Sequence, residues 1–174
     1  MFGKHNVFLI GPMGSGKTAV GKQIARRLRL QFIDTDAEIE RRSGADITLI
    51  FEKEGEAGFR LREHAVIDEL TKLDNVLLST GGGAVLSAVN RRCLKDRGVV
   101  AYLETSVAQQ TARVNAGRAK RPLVANHANP AQRLSELMSE RQPLYLETAD
   151  ISVRTDGRRV AAVAEEIIRA LGER

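Results

Sequence analysis

Five short runs rich in apolar and β-branched residues punctuate the chain: VFLI (7–10), QFID (31–34), VLLST (76–80), VVAYLE (99–104) and DISVRT (150–155). Most are continuously apolar rather than alternating, which suits strands covered on both faces, as in a parallel sheet. Between them the apolar positions return at helical spacing. Val20, Ile24 and Leu28 share one face, as do Val66, Leu70 and Leu73, and near the end Val160, Val163, Ile167, Ala170 and Leu171. Strands alternating with helices predict a doubly wound α/β domain. Two stretches lack a strand, about 35–75 and about 105–145. Inserts of that length carry substrate contacts or lids.

Composition narrows the class. The chain has 174 residues, 43% hydrophobic and 28% charged, enough for one domain with a real core. No apolar run nears the roughly 20 residues that span a bilayer. The opening MFGKHN reads as the approach to a strand and not as a signal peptide. A lone cysteine, Cys93, excludes an internal disulfide framework. It reads as a buried or half-buried thiol near a helix end, in a reduced, cytoplasmic setting. Lys and Arg number 27 against 22 Asp and Glu, a net charge of +5. Aromatics are only 4% and the basic residues are scattered, so a platform for nucleic-acid bases is poorly supplied. The surplus reads as a potential that attracts small anions.

The segment GPMGSGKT, Gly11 to Thr18, fits G-x-x-x-x-G-K-[ST]. Its glycines let successive backbone N–H groups turn toward phosphate oxygens, and the following helix adds its positive end. Lys17 brings a full charge to the β- and γ-phosphates, and the Thr18 hydroxyl suits Mg²⁺. FIDTD places Asp34 and Asp36 at the carboxyl end of the second strand, where open α/β sheets bind ligands. On an extended backbone both would point the same way. One then serves Mg²⁺ and the other a substrate hydroxyl. The third run ends in Ser-Thr with no acid, so the metal-side carboxylate falls to Asp34. Asp36 keeps a second reading, as cap of a helix starting at Ala37.

TGGGAV (80–85) spends three glycines where a turn needs one or two, which suggests a close approach to main-chain N–H groups. Three arginines stand out by context. Arg60 either pairs with Glu56 or Glu63 on a helix surface or faces a substrate. Arg121, with Arg118 and Lys120, sits in a basic loop suited to a lid. Arg141 precedes Pro143 at an expected helix end. Together they offer bidentate sites for a carboxylate and a phosphoryl group. His5, His64 and His127 are isolated and show no metal-ligand spacing.

Taken in order from Gly11 to Tyr145, GPMGSGKT, DTD, GFR, TGGGAV, RPL and ERQPLY resemble the shikimate kinases. The resemblance implies a nucleoside-monophosphate-kinase-like P-loop NTPase fold. Its sheet would be five-stranded and parallel, in order 2-3-1-4-5 and flanked by helices. It implies one kinase domain over 1–174, with a substrate-binding insert at about 35–75 and a lid at about 115–130. The implied reaction is ATP + shikimate → ADP + 3-phosphoshikimate. By motif position Asp36, Arg60, Gly82 and Arg141 would bind shikimate. Gly14, Ser15, Gly16, Lys17, Thr18 and Ala19 would wrap the ATP phosphates, with Thr18 on Mg²⁺. Arg121 would contact ATP from the lid, and Arg158 would help bind the adenine. Lys17 and Arg121 would stabilise the moving phosphoryl group, and Asp36 would orient the attacking hydroxyl or take its proton. A monomer without nucleic-acid or membrane partners completes the expectation. Two other readings stand beside it: a related small-molecule kinase, such as one for gluconate, and a non-catalytic nucleotide- or RNA-binding module.

Overall fold

The computed structural model describes residues 5–116, 124 and 128–174. Strands β1 (Val7–Ile10), β2 (Gln31–Asp34), β3 (Val76–Ser79), β4 (Val99–Glu104) and β5 (Ile151–Arg154) form one parallel sheet in the order β2-β3-β1-β4-β5. Each expected strand is present to within a residue or two. The sheet register pairs Leu9 with Ser79 on one side and with Ala101 on the other, so β1 is central and buried throughout.

Alternate residues of these strands face opposite layers. Val7, Leu9, Leu77, Ala101, Leu103 and Val153 pack against α1 (Lys17–Leu28) and α7 (Val160–Gly172) through Val20, Ile24, Val163 and Ile167. Phe8, Ile10, Leu78, Val100 and Tyr102 pack against α3 (Ile47–Leu70), α4 (Ala88–Arg97) and α6 (Pro130–Thr148). Each central strand therefore buries both its faces, which explains its unbroken apolar run. The ends of the expected helical stripes fall outside the core: Leu28, Leu73 and Val160 are exposed. A smaller apolar cluster joins α5 (Val107–Ala116) to α6 through Val114, Leu134 and Leu137.

The first strandless stretch holds α2 (Thr35–Ser43) and α3. Gly44 ends α2 in the left-handed conformation, and Asp46 caps α3 by accepting the N–H of Leu49 at 2.8 Å. Helix α3 is interrupted at Gly55, whose φ of 71° and ψ of 179° no side chain tolerates cheaply. The break folds the two halves so that the rings of Phe51 and Phe59 meet, with centroids 4.9 Å apart. Expected lid residues 117–123 and 125–127, Arg121 among them, lie outside the described residues. Among the described residues no helix is long and apolar enough to cross a membrane.

Helix α1 lies close to the sheet because Gly21 has no side chain. A Cβ there would stand 2.8 Å from Phe32 Cε2 and 3.0 Å from Leu77 Cδ2. Gly21→Ala is expected to lower the unfolding free energy by about 1–3 kcal/mol through overpacking, read as a lower urea midpoint at unchanged slope. An unchanged midpoint would show that the helix can back away freely.

Candidate active site

The phosphate loop links β1 to α1. Gly14 and Gly16 take φ of 78° and 88°, the left-handed turn the motif needs. Gly16 is the N-cap of α1, no side chain caps that end, and its first turn has no acidic residue. The amides opening α1 therefore face the cavity with the helix's positive end, a setting ready for an anion. Buried Lys17 donates to the carbonyls of Gly11 and Pro12 at 2.7 and 2.9 Å. Its ammonium lies within the curl of the loop. A cavity of about 420 Å³ opens from this loop across the carboxyl ends of β1, β2 and β3. It is lined by Gly14, Gly16, Lys17, Thr18, Ala19, Asp34, Asp36, Arg60, Gly82 and Arg141, all expected from the sequence.

The two aspartates do not lie on an extended segment. Asp34 ends β2 and is itself the N-cap: its Oδ1 accepts the N–H of Ala37 at 3.0 Å. The helix starts at Thr35, two residues earlier than expected, so Asp36 stands in its first turn and is not the cap. The other oxygen of Asp34, Oδ2, accepts the Thr18 hydroxyl at 3.3 Å. Two hard oxygen donors beside the phosphate loop fit Mg²⁺, which takes few protein ligands and completes its shell with phosphate and water. No group of three or more metal-type ligands occurs among the described residues, as such a site requires none.

The three glycines of the 81–83 loop are spaces rather than twists, since none has positive φ. A Cβ on Gly81 would stand 2.9 Å from Asp36 Oδ1 and 3.1 Å from Glu63 Oε2. One on Gly82 would stand 3.4 Å from an Arg141 nitrogen, and one on Gly83 would be 2.6 Å from Arg60 Cζ. Each bare α-carbon thus seats a charged group of the protein itself. Arg60 does form the surface-type pairs, to Glu63 at 2.9 Å and Glu56 at 3.2 Å, yet it also lines the cavity.

Five buried side-chain polar atoms lack a partner among the described residues: Thr35 Oγ1, Asp36 Oδ1, Arg60 Nε, Glu63 Oε2 and Arg141 Nε. Four belong to residues lining this one cavity. Unsatisfied buried groups are expensive, and their concentration here marks a site built for a polar ligand. Burial pushes the Asp36 carboxyl up to about 7, with Glu63 and Asp34 adding to the rise and Lys17 and Arg60 opposing it. Burial also raises Glu63, against the pull of Arg60 and Arg141.

Sequence reasoning treated Glu63 only as a partner for Arg60, and it passed over Arg113, Phe51 and Phe59. Arg113 of α5, a helix packed directly against the phosphate loop, donates to the Gly14 carbonyl at 2.6 Å and lines the cavity. Nothing in the α5 pattern separates it from an ordinary surface arginine. Arg158 does not line the cavity: its guanidinium pairs with Glu166 at 2.6 Å and donates to the Arg154 carbonyl at 2.9 Å, which turns it onto α7.

A phosphate loop at a helix start, a parallel sheet ordered 2-3-1-4-5 and an adjoining charged pocket for a small acceptor define a P-loop small-molecule kinase. The shikimate kinase family profile matches residues 13–172. The chain belongs to the shikimate kinase family, and it is an ATP-dependent kinase. It is 49% identical over 171 residues to the shikimate kinase of Vibrio parahaemolyticus, covering 98% of both chains. It is 50% identical over 165 residues to that of Haemophilus influenzae, covering 95% of this chain and 91% of the other. Its backbone matches the shikimate kinase of Acinetobacter baumannii in complex with shikimate with a TM-score of 0.94 at 45% identity, over 97% and 93% of the two chains. A gluconokinase from Sinorhizobium meliloti, 17% identical with a TM-score of 0.56, shares the fold alone.

The raised Asp36 carboxyl sets a pH dependence of stability. Between the unfolded value of 3.8 and about 7 the folded chain binds more protons than the unfolded chain. Stability therefore falls as pH rises through that window, and the cost persists above it. In metal-free protein, Asp36→Asn should be more stable than wild type at pH 8 by about 2 kcal/mol, after discounting for partial exposure. The gap should close toward pH 4. Urea titrations at both pH values test this, and a variant less stable than wild type at pH 8 would refute it.

Proposed function

We propose that the protein transfers the γ-phosphoryl group of ATP to the 3-hydroxyl of shikimate, giving ADP and 3-phosphoshikimate. The supporting observation is the set of four unpartnered charged atoms gathered beside the phosphate loop. Shikimate carries one carboxylate and three hydroxyls on a small ring. Arg60 and Arg141 offer the carboxylate charge-assisted bonds. The Gly82 backbone and Asp36 meet the ring hydroxyls, and Phe51 and Phe59 give the ring an apolar face. That tilted aromatic pair suits a ring better than an open-chain acid such as gluconate. Burial of Lys17 and Arg141 in a pocket, not on a surface, argues against an RNA-binding module.

In the reaction the 3-oxygen forms a bond to the γ-phosphorus as the bond to the β,γ-bridging oxygen breaks. Asp36 orients the hydroxyl and accepts its proton, and a carboxyl near 7 is matched to that task at neutral pH. Because the transition state is loose, orientation is its larger contribution. Gly14, Ser15, Gly16, Thr18 and Ala19 hold phosphate oxygens, and Lys17 offsets their charge. Mg²⁺, held through Thr18 and Asp34, would neutralise phosphate charge. Arg121, which lies outside the described residues, would add a cation to the moving phosphoryl group. The chain works as a single domain and a monomer in the cytoplasm.

Asp36→Asn should lower kcat by about a hundredfold or more and leave ADP affinity within about twofold. Arg141→Ala should raise KM for shikimate roughly ten- to hundredfold, the worth of a charged hydrogen bond, with KM for ATP nearly unchanged. A coupled ADP-release assay with shikimate, gluconate or no acceptor should respond to shikimate alone. Equal turnover with gluconate would overturn the substrate assignment.

A further inference from the structure

The glycine loop is held almost wholly through its carbonyls. Gly81 O accepts the N–H of Ala84 and Gly83 O that of Leu86, both at 3.1 Å. Gly82 O accepts the Tyr145 hydroxyl at 2.6 Å. Ala84 O accepts Asn90 Nδ2 at 3.0 Å, and Val85 O accepts Arg91 Nη1 at 2.7 Å. The amides of Gly81, Gly82 and Gly83 have no acceptor among the described residues. A loop pinned by its oxygens presents its N–H groups to whatever enters the cavity.

One of these pins depends on a residue outside the site. Asn90 is 1% exposed, and its amide must turn Nδ2 toward Ala84 O. Its Oδ1 is then fixed toward α3, where it meets His64 Nδ1 at 2.8 Å. His64 must therefore be the donor. Both the Nδ1–H neutral ring and the imidazolium satisfy that bond. His64 follows Glu63 directly and lies one helical turn beyond Arg60, the two α3 residues seated on Gly81 and Gly83.

We propose that His64 is a positioning residue for the acid site: through Asn90 it fixes the Ala84 carbonyl, and so the spacing between the glycine amides and the charged residues of α3. The inference rests on the shikimate-phosphorylating activity proposed above. Without the His64 donor a buried Asn90 oxygen is left unpaired, and the amide loses the contact that sets its orientation. The consequence falls on the acid and not on the nucleotide, because α3 and this loop do not carry the phosphate-binding amides. Selection for the strut does not require a reactive histidine, which accounts for a histidine with no metal-ligand or triad spacing in the sequence.

His64→Leu removes the donor at a half-buried position. It should raise KM for shikimate roughly five- to twentyfold, leaving kcat and KM for ATP within twofold. His64→Gln, whose Nε2 can donate to Asn90, should restore KM to within about threefold of wild type. Asn90→Asp puts an acceptor against Ala84 O and should raise the same constant. An unchanged KM in His64→Leu would overturn the proposal. So would parallel losses in KM for ATP, kcat and thermal midpoint, or failure of His64→Gln to restore binding. Absence of shikimate-dependent ADP release by the wild type would overturn the assigned activity itself, and the inference with it. An active wild type with an insensitive His64→Leu would overturn the inference alone.

Discussion

Charges pressed against bare α-carbons are the constraint from which the acceptor site follows. Asp36 and Glu63 abut Gly81, Arg141 abuts Gly82 and Arg60 abuts Gly83. A single methyl group at Gly81 or Gly83 would push a carboxylate or guanidinium away, and one at Gly82 would come into contact with the Arg141 guanidinium. The three glycines carry no side chain, so the loop's rigidity comes from elsewhere: the Tyr145 hydroxyl from α6 and the side chains of Asn90 and Arg91 from α4. Tyr145 is fully buried and stacked on Tyr102, and burial holds its phenol protonated well above the usual range, so it remains a donor.

The arrangement is costly for the empty protein. Two carboxyls are raised by burial, Asp36 further by the charge of Glu63, and two arginine Nε atoms are unpaired among the described residues. A ligand bearing a carboxylate and several hydroxyls satisfies both signs at once. Binding energy of that kind is spent on orientation beside the phosphate loop, where it counts toward the chemical step. The surrounding sheet tolerates the cost because its centre is ordinary: β1 is flanked on both sides and covered on both faces.

The sheet was legible because burial on both faces writes strands as unbroken apolar runs, as in VFLI and VVAYLE. The phosphate loop and the GGG segment were legible because few other structures call for such glycines. The roles within DTD were less so. An extended segment and a helix start both accept aspartate, and only the Ala37 amide on Asp34 decides between them. Glu63 was passed over although it shares the buried face of α3 with Phe59, Val66 and Leu70, because its pair with Arg60 already accounted for it, and Arg113 was passed over because it looked like any charge on a helix face. Their function depends on which neighbour that face meets, which is a tertiary fact. The break at Gly55, which brings Phe51 onto Phe59, likewise has no pattern beyond an isolated glycine.

The chain's single sulfhydryl, Cys93, lies in the middle of α4 and is 6% exposed. Burial, with Asp68 nearby, raises it above its ordinary value against the pull of Arg97. Thiolate is the species that oxidants and electrophiles attack, and this environment suppresses it. With no second cysteine to act as a resolving partner, the chain cannot form an internal disulfide. An internal disulfide switch therefore has no second sulfur to form it, and the one thiol present is a poor target for oxidants.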